Sequence, residues 1–164
     1  MTKHEGGCLC GAIRYAASAP PARVTICHCK FCQRATGSAF LLEPVFAKSD
    51  FAVLAGTPTI YDHISGGSGK RVSIHFCATC GTKLFMSFER FTEINGVFGG
   101  TFDDPNWFEC SDQTARHIFL DMAHRATVIP ADFDVFHAHV TDNDGNPQDA
   151  LRFDTPRTVA SVAK

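Results

Sequence analysis

Apolar and polar residues alternate at a period of two over several stretches of the chain. Val72, Ile74 and Phe76 interleave with Ser73 and His75, and Ile118, Leu120 and Met122 repeat the pattern later. Successive side chains of a strand point to opposite faces, so such runs predict half-buried strands. Shorter apolar runs span 12–16, 24–27, 39–42, 51–54, 59–63, 84–88 and 94–98, with turn-forming residues between them. Gly66-Gly67-Ser68-Gly69 reads as a hairpin connection and Asp103-Asp104-Pro105-Asn106 as a turn. No stretch sustains two turns of amphipathic helix, and one helical turn is expected at 30–36. Many short strands with closely spaced turns predict a small all-β protein of packed or folded sheets. At 164 residues the chain fits a single domain, 1–154, with a loose tail at 155–164.

Composition narrows the class. With 45% apolar and 20% charged residues, the chain is expected to be globular rather than disordered or membrane-embedded. The amino end carries no apolar run of the kind a secretory signal needs, and later runs are too short for a bilayer. A cytoplasmic, reducing setting with no membrane partner is the expectation. Eight cysteines in that setting read as metal ligands or catalytic groups before they read as a disulfide framework. Lys and Arg are scattered, and the net charge of −2 would become −5 with seven thiolates and two divalent ions, so no nucleic-acid partner is expected.

The cysteines fall into Cys8-Leu9-Cys10-Gly11, Cys27-His28-Cys29-Lys30-Phe31-Cys32 and Cys77-Ala78-Thr79-Cys80-Gly81, with Cys110 alone. Cys77 and Cys80 have the spacing of a zinc knuckle, and Gly81 can take the left-handed conformation that closes such a turn. Cys8 and Cys10 would share a face if they lie on a strand. Two such pairs on one ion make a closed structural site of four thiolates. Cys27, Cys29 and Cys32 remain as a set of three, and three protein ligands plus an open position mark catalytic zinc. A closed alternative places Cys110 or an imidazole fourth. Three thiolates offset the ion's charge and make it a poor activator of water, but they suit one more sulfur ligand, held deprotonated near neutral pH. A thiol or thioether-like adduct is the substrate that chemistry implies. Iron also accepts a sulfur tetrahedron, although these spacings match no standard iron–sulfur motif.

The order Cys-x-Cys, Cys-His-Cys-x-x-Cys, Phe-Cys-x-x-Cys-Gly-Thr resembles the glutathione-dependent formaldehyde-activating enzyme family, also called the centromere protein V family. Gln33-Arg34-Ala35-Thr36-Gly37-Ser38, Gly100-Thr101-Phe102-Asp103 and His117-Ile118-Phe119 add to the likeness. The resemblance implies an Mss4-like all-β fold organised around zinc. It implies Cys8, Cys10, Cys77 and Cys80 on a structural ion, with Cys27, Cys29 and Cys32 on a second. For activity it implies condensation of glutathione with formaldehyde to S-hydroxymethylglutathione, a carbon–sulfur lyase reaction in reverse. Members of that family often carry tryptophan nine residues beyond the histidine of His117-Ile118-Phe119, where this chain has Ala126.

Other residues have assigned expectations. His28, between two ligands, would project away from Cys27 and Cys29; it is a candidate proton shuttle for the adduct hydroxyl or a structural side chain. His75 would share the face of Cys77 and donate a hydrogen bond there. His117 either shapes the site or is a satisfied sheet residue. His137 and His139 would share a face if 136–140 is a strand. Lys30, Arg34, Lys70 and Arg71 are the candidate partners of the glutathione carboxylates, and Cys110 is expected to be a small buried or half-buried residue. The functional classes these features support are a thiol-using zinc enzyme, a zinc-stabilised binding module, and a metal buffer that releases zinc on oxidation.

Overall fold

The structure is a computed structural model that describes residues 3–162. Strands run His4–Gly7 (β1), Arg14–Ala17 (β2), Arg23–Cys27 (β3), Leu41–Ala47 (β4), Phe51–Ala55 (β5), Thr59–Ile64 (β6) and Arg71–Phe76 (β7). They continue through Lys83–Phe88 (β8), Ile94–Val97 (β9), Ala115–Ile118 (β10), Val128–Ile129 (β11), Asp134–Val135 (β12) and Arg157–Thr158 (β13). Two short helices, Lys30–Thr36 (α1) and Val159–Val162 (α2), complete the set, so the expected all-β class holds. No helix among the described residues is long and apolar enough to cross a membrane. The chain divides into two compact units, one of residues up to Arg23 with Glu43–Phe108, the other of Val24–Leu42 with Glu109 onward.

The first unit is antiparallel throughout. β1 pairs β2 from His4↔Ala17 to Gly7↔Arg14, and β2 pairs β5. A second meander runs β6-β7-β8-β9, with β9 pairing β4 from Val45↔Gly96 to Ala47↔Ile94. Its core is aromatic: Tyr15, Phe46, Phe51, Phe85 and Phe102 are buried, with Tyr15 5.1 Å from Phe51 and edge-on to Phe102 at 5.2 Å between ring centres. The buried Tyr15 hydroxyl meets Thr101 Oγ1 at 2.7 Å, which satisfies a polar tip that would otherwise cost about 1–3 kcal/mol. Gly6 lies against this pair, where a Cβ would come within 2.5 Å of the Thr101 carbonyl oxygen. Only a bare backbone lets β1 approach this closely, and the approach sets where Cys8 begins.

The second unit is built on parallel pairing. β10 pairs β3 from Ala115↔Val24 to Ile118↔Cys27, and β12 lies on its other side with His117↔Val135. All three strands therefore end at the same edge. A satellite core of Leu120, Ile129, Val135 and Val159 packs under the antiparallel pair β11 and β13.

Two expectations change here. The alternation of Ile118, Leu120 and Met122 does not continue a strand: β10 stops at Ile118, Phe119 adopts φ 61°, and Leu120–Met122 form a 3-10 turn. A left-handed residue cannot extend a ladder, and the turn drops Leu120 into the satellite core. The stretch expected to be loose from Thr155 is docked between Arg157 and Val162. Val159 is 1% exposed and its N–H donates to Thr127 O at 2.9 Å.

Candidate metal centres

In the first unit the sulfurs of Cys8, Cys10, Cys77 and Cys80 lie within 4.8 Å of one another. Cys8 and Cys10 are 3.5 Å apart and Cys10 and Cys77 3.7 Å, close to the ~3.8 Å edge of a tetrahedron with zinc–sulfur bonds of about 2.3 Å. Both pairs sit on tight turns closed by a left-handed glycine, over three residues at Cys8 and four at Cys77. Gly11 N–H donates to Cys8 O and Gly81 N–H to Cys77 O, and these glycines have φ of 74° and 75°. Cys8 and Cys10 are thus presented by a knuckle turn and not by the strand the spacing suggested; β1 ends at Gly7, where the backbone must turn to bring both sulfurs to one point.

Thr82 joins the two turns. Its Oγ1 accepts the Leu9 N–H at 3.2 Å and lies 3.2 Å from Cys80 Sγ. Bonds from the Thr82 side chain and backbone pull Cys80 down to about 5, and Ile13 N–H donates to Cys8 Sγ at 3.2 Å. Against a bond from the Ala12 backbone, the neighbouring Cys8 and Cys80 sulfurs push Cys10 up to about 12. N–H and O–H donors aimed at sulfur favour thiolate, the form a cation needs.

In the second unit Cys27 closes β3, Cys29 caps α1 and Cys32 lies in its first turn. Cys29 Sγ accepts the Cys32 N–H at 3.3 Å, and Gly37, at φ 69°, ends the helix. The single helical turn expected at 30–36 is therefore a capped seven-residue helix. Its three sulfurs lie within 4.8 Å of one another, and no fourth His, Cys, Asp or Glu among the described residues joins them. Cys27 and Cys32 are buried while Cys29 is half-buried. Hydrogen bonds from Cys27 and Cys32 pull Cys29 down to about 3, and bonds with Cys27 and Cys29 together with burial push Cys32 up. The half-buried Cys29 is thereby favoured as the thiolate over the buried Cys32. Both clusters could hold metal ions. Cys110 is exposed, outside either cluster, and not the buried or half-buried residue expected.

His28 is fully buried, and its Nε2 meets Nδ1 of the buried His117 at 3.0 Å, the two rings stacked at 5.3 Å. Burial pushes His28 down to about 4, against the Ala39 backbone and Cys29, and burial with the nearby His28 does the same to His117. Both rings are neutral at pH 7, one donating to the other. His75 does not serve the sulfurs as expected. It bonds Ser87 Oγ at 2.9 Å and stacks on Phe85 at 4.1 Å, because β7 ends at Phe76 before the knuckle begins. The segment 136–140 is not a strand; His137 Nδ1 pairs with Asp121 at 2.7 Å and His139 Nδ1 contacts Thr141.

Among the candidate cations, Lys30 and Arg34 lie on α1 beside Cys32, whereas Lys70 pairs with Glu89 at 3.2 Å and Arg71 N–H donates to the same carboxylate. Thr82 and Gln33 are contacts that spacing alone did not pick out. The only signal was their adjacency to ligand motifs, Thr82 after Cys80-Gly81 and Gln33 after Cys32.

The family model for glutathione-dependent formaldehyde-activating enzymes matches residues 3–121. A Halomonas elongata protein named for the same activity is 28% identical over 102 residues, 60% of this chain. The chain spans 65% of the length of that curated relative. A crystal structure of a Rhodobacter sphaeroides protein is similar at 24% identity with a TM-score of 0.49, covering 60% of this chain and 87% of that one.

Proposed function

Because this chain belongs to the glutathione-dependent formaldehyde-activating enzyme family, we propose that it joins a thiol to a small aldehyde at Cys27, Cys29 and Cys32, with zinc held at both clusters. Glutathione and formaldehyde are the pair this reading assigns, giving S-hydroxymethylglutathione, and the reverse reaction makes the protein a carbon–sulfur lyase. A cytoplasmic setting, where thiols stay reduced, belongs to the same reading. The observation that carries it is the three-sulfur cluster itself, which no fourth ligand among the described residues joins and whose half-buried Cys29 thiol is held low by its sulfur neighbours. Soft sulfur donors in a set of three fit zinc with one position left for substrate.

A zinc ion there would supply Lewis acidity that makes an incoming thiol a nucleophile near neutral pH. The chain's own residues do the rest. Cys29 sets the accessible side of the cluster, and Lys30 and Arg34, on the helix that carries Cys32, are assigned to the two carboxylates of glutathione. A carbon–sulfur bond forms as the aldehyde π-bond breaks, and the proton lost by the thiol ends on the new hydroxyl. His28 is enclosed and committed to His117, which favours a role in fixing the Cys27–Cys29 backbone over direct proton transfer; solvent then relays the thiol's proton to the oxygen.

Magnetisation transfer in NMR tests this. Wild-type protein is expected to accelerate exchange between glutathione, formaldehyde and their adduct, and Cys29→Ala to leave it at the uncatalysed rate. Small thiols belong in the same assay, since Ala126 stands where relatives often have a larger side chain. Uncatalysed exchange with every thiol, at full metal loading, contradicts the enzyme and leaves a zinc-stabilised binding module.

A further inference from the structure

Gln33 makes three side-chain contacts that fix which way its amide faces. Its Nε2 donates to His28 O at 2.6 Å and to Met122 O at 2.8 Å, while its Oε1 accepts from Lys30 Nζ at 3.2 Å. An NH₂ group has two hydrogens, and here each has its own carbonyl. The contact at His28 O is part-buried and the one at Met122 O is exposed. His28 O lies past the end of β3, between Cys27 and Cys29, while the His28 N–H still donates to Ile118 O of β10 at 3.0 Å. Met122 O closes the 3-10 turn that follows the left-handed Phe119, a position with no partner within its own turn.

We propose that Gln33 is the positioning residue of the three-cysteine centre: its amide ties the peptide between two ligands to the Leu120–Met122 turn and so sets the spacing of Cys27, Cys29 and Cys32. This rests on the reading of that cluster as a metal site. The arrangement is economical in conformational terms. Gln33 is the residue after Cys32, on a helix capped by Cys29 Sγ, so one side chain braces the third ligand's helix against the backbone of the first two. The sulfurs are thereby held near their bound spacing before any ion arrives, and an ion that leaves must do so without the turn opening. The Leu120–Met122 turn is itself anchored, with Leu120 fully buried. The brace therefore ends on fixed structure.

The test uses full-length protein loaded with cobalt(II) or zinc. Gln33→Leu keeps the bulk of the side chain and removes both donors; Gln33→Asn keeps an amide too short to reach both carbonyls. In chelator competition, Gln33→Leu is expected to release its second metal ~10–100-fold faster than wild type, with Gln33→Asn between them and the first metal unchanged in both. The cobalt d–d bands of the second centre are expected to shift while those of the first do not, a signature that general loosening of the fold would not produce. Should Gln33→Leu fail to fold, the Asn variant alone decides. Wild-type release kinetics and unshifted bands in a variant that holds two metals would overturn the inference and leave the site reading intact. A wild type that binds one metal overturns both.

Discussion

Cys10→Ala and Cys80→Ala are expected to lower the melting temperature by at least ~10 °C, or to yield no folded protein, while Cys29→Ala melts within a few degrees of wild type. The difference lies in what each cluster closes. Cys10 and Cys77 are 3.7 Å apart yet separated by 67 residues, and the four-cysteine site ties the turn after β1 to the turn between β7 and β8. Structural zinc in small domains supplies apparent free energies of ~10–16 kcal/mol at pH 7, comparable to the whole stability of a domain of this size. Removing one thiolate of four therefore takes away a term as large as the net stability. Cys27, Cys29 and Cys32 instead lie within six residues and close no long loop. Their strand and helix have support of their own, from pairing with β10 and from the caps at Cys29 and Gly37. Cys29→Ala loses the cap bond to Cys32 N–H, worth about 1 kcal/mol, and keeps the rest. Circular dichroism melts decide it, and equal collapse of all three variants contradicts the division into a structural and a reactive centre.

Stability is expected to fall steeply between pH 6.5 and 4, and His117→Phe is expected to flatten that slope. Burial holds His28 and His117 at about 4 against an ordinary 6.5. In that window the unfolded chain binds protons that the folded chain refuses, so stability rises with pH: it is complete above 6.5 and is lost as pH falls toward 4. At about 1.4 kcal/mol per pH unit, each ring contributes at most ~3 kcal/mol. The rings share one hydrogen bond, so the two contributions are not additive. Phe at 117 keeps the packing against Phe133 and removes one titrating group. Urea titrations at pH 7, 6 and 5 measure the slope. Acid also strips metal from thiolates, so metal content is measured at each pH and the slopes are compared where both proteins hold the same amount. Identical slopes contradict the burial argument.

The strands were legible in the chain because most of them carry one apolar face. Val72, Ile74 and Phe76 alternate as a strand should, and the ranges 24–27, 51–54, 59–63, 84–88 and 94–98 coincide with observed strands to within a residue or two at their ends. The cysteine grouping was legible because a metal needs its ligands as local pairs. What alternation could not show was Phe119, whose left-handed backbone ends β10 while Ile118, Leu120 and Met122 keep the spacing of a strand. The docking of Val159 depends on a core of residues from 120 to 159, too dispersed to register as a local period. His75 and Gln33 mark the same boundary. Their partners, Ser87, His28 and Met122, are chosen by register and by where strands stop, and neither is written in the spacing of the cysteines.

Metal content per chain tests the central claim most directly. Elemental analysis of purified, metal-replete protein is expected to give close to two zinc ions in wild type and one in Cys29→Ala, with the four-cysteine ion retained. One zinc at full occupancy in wild type, with Cys27, Cys29 and Cys32 all open to thiol reagents, would contradict it.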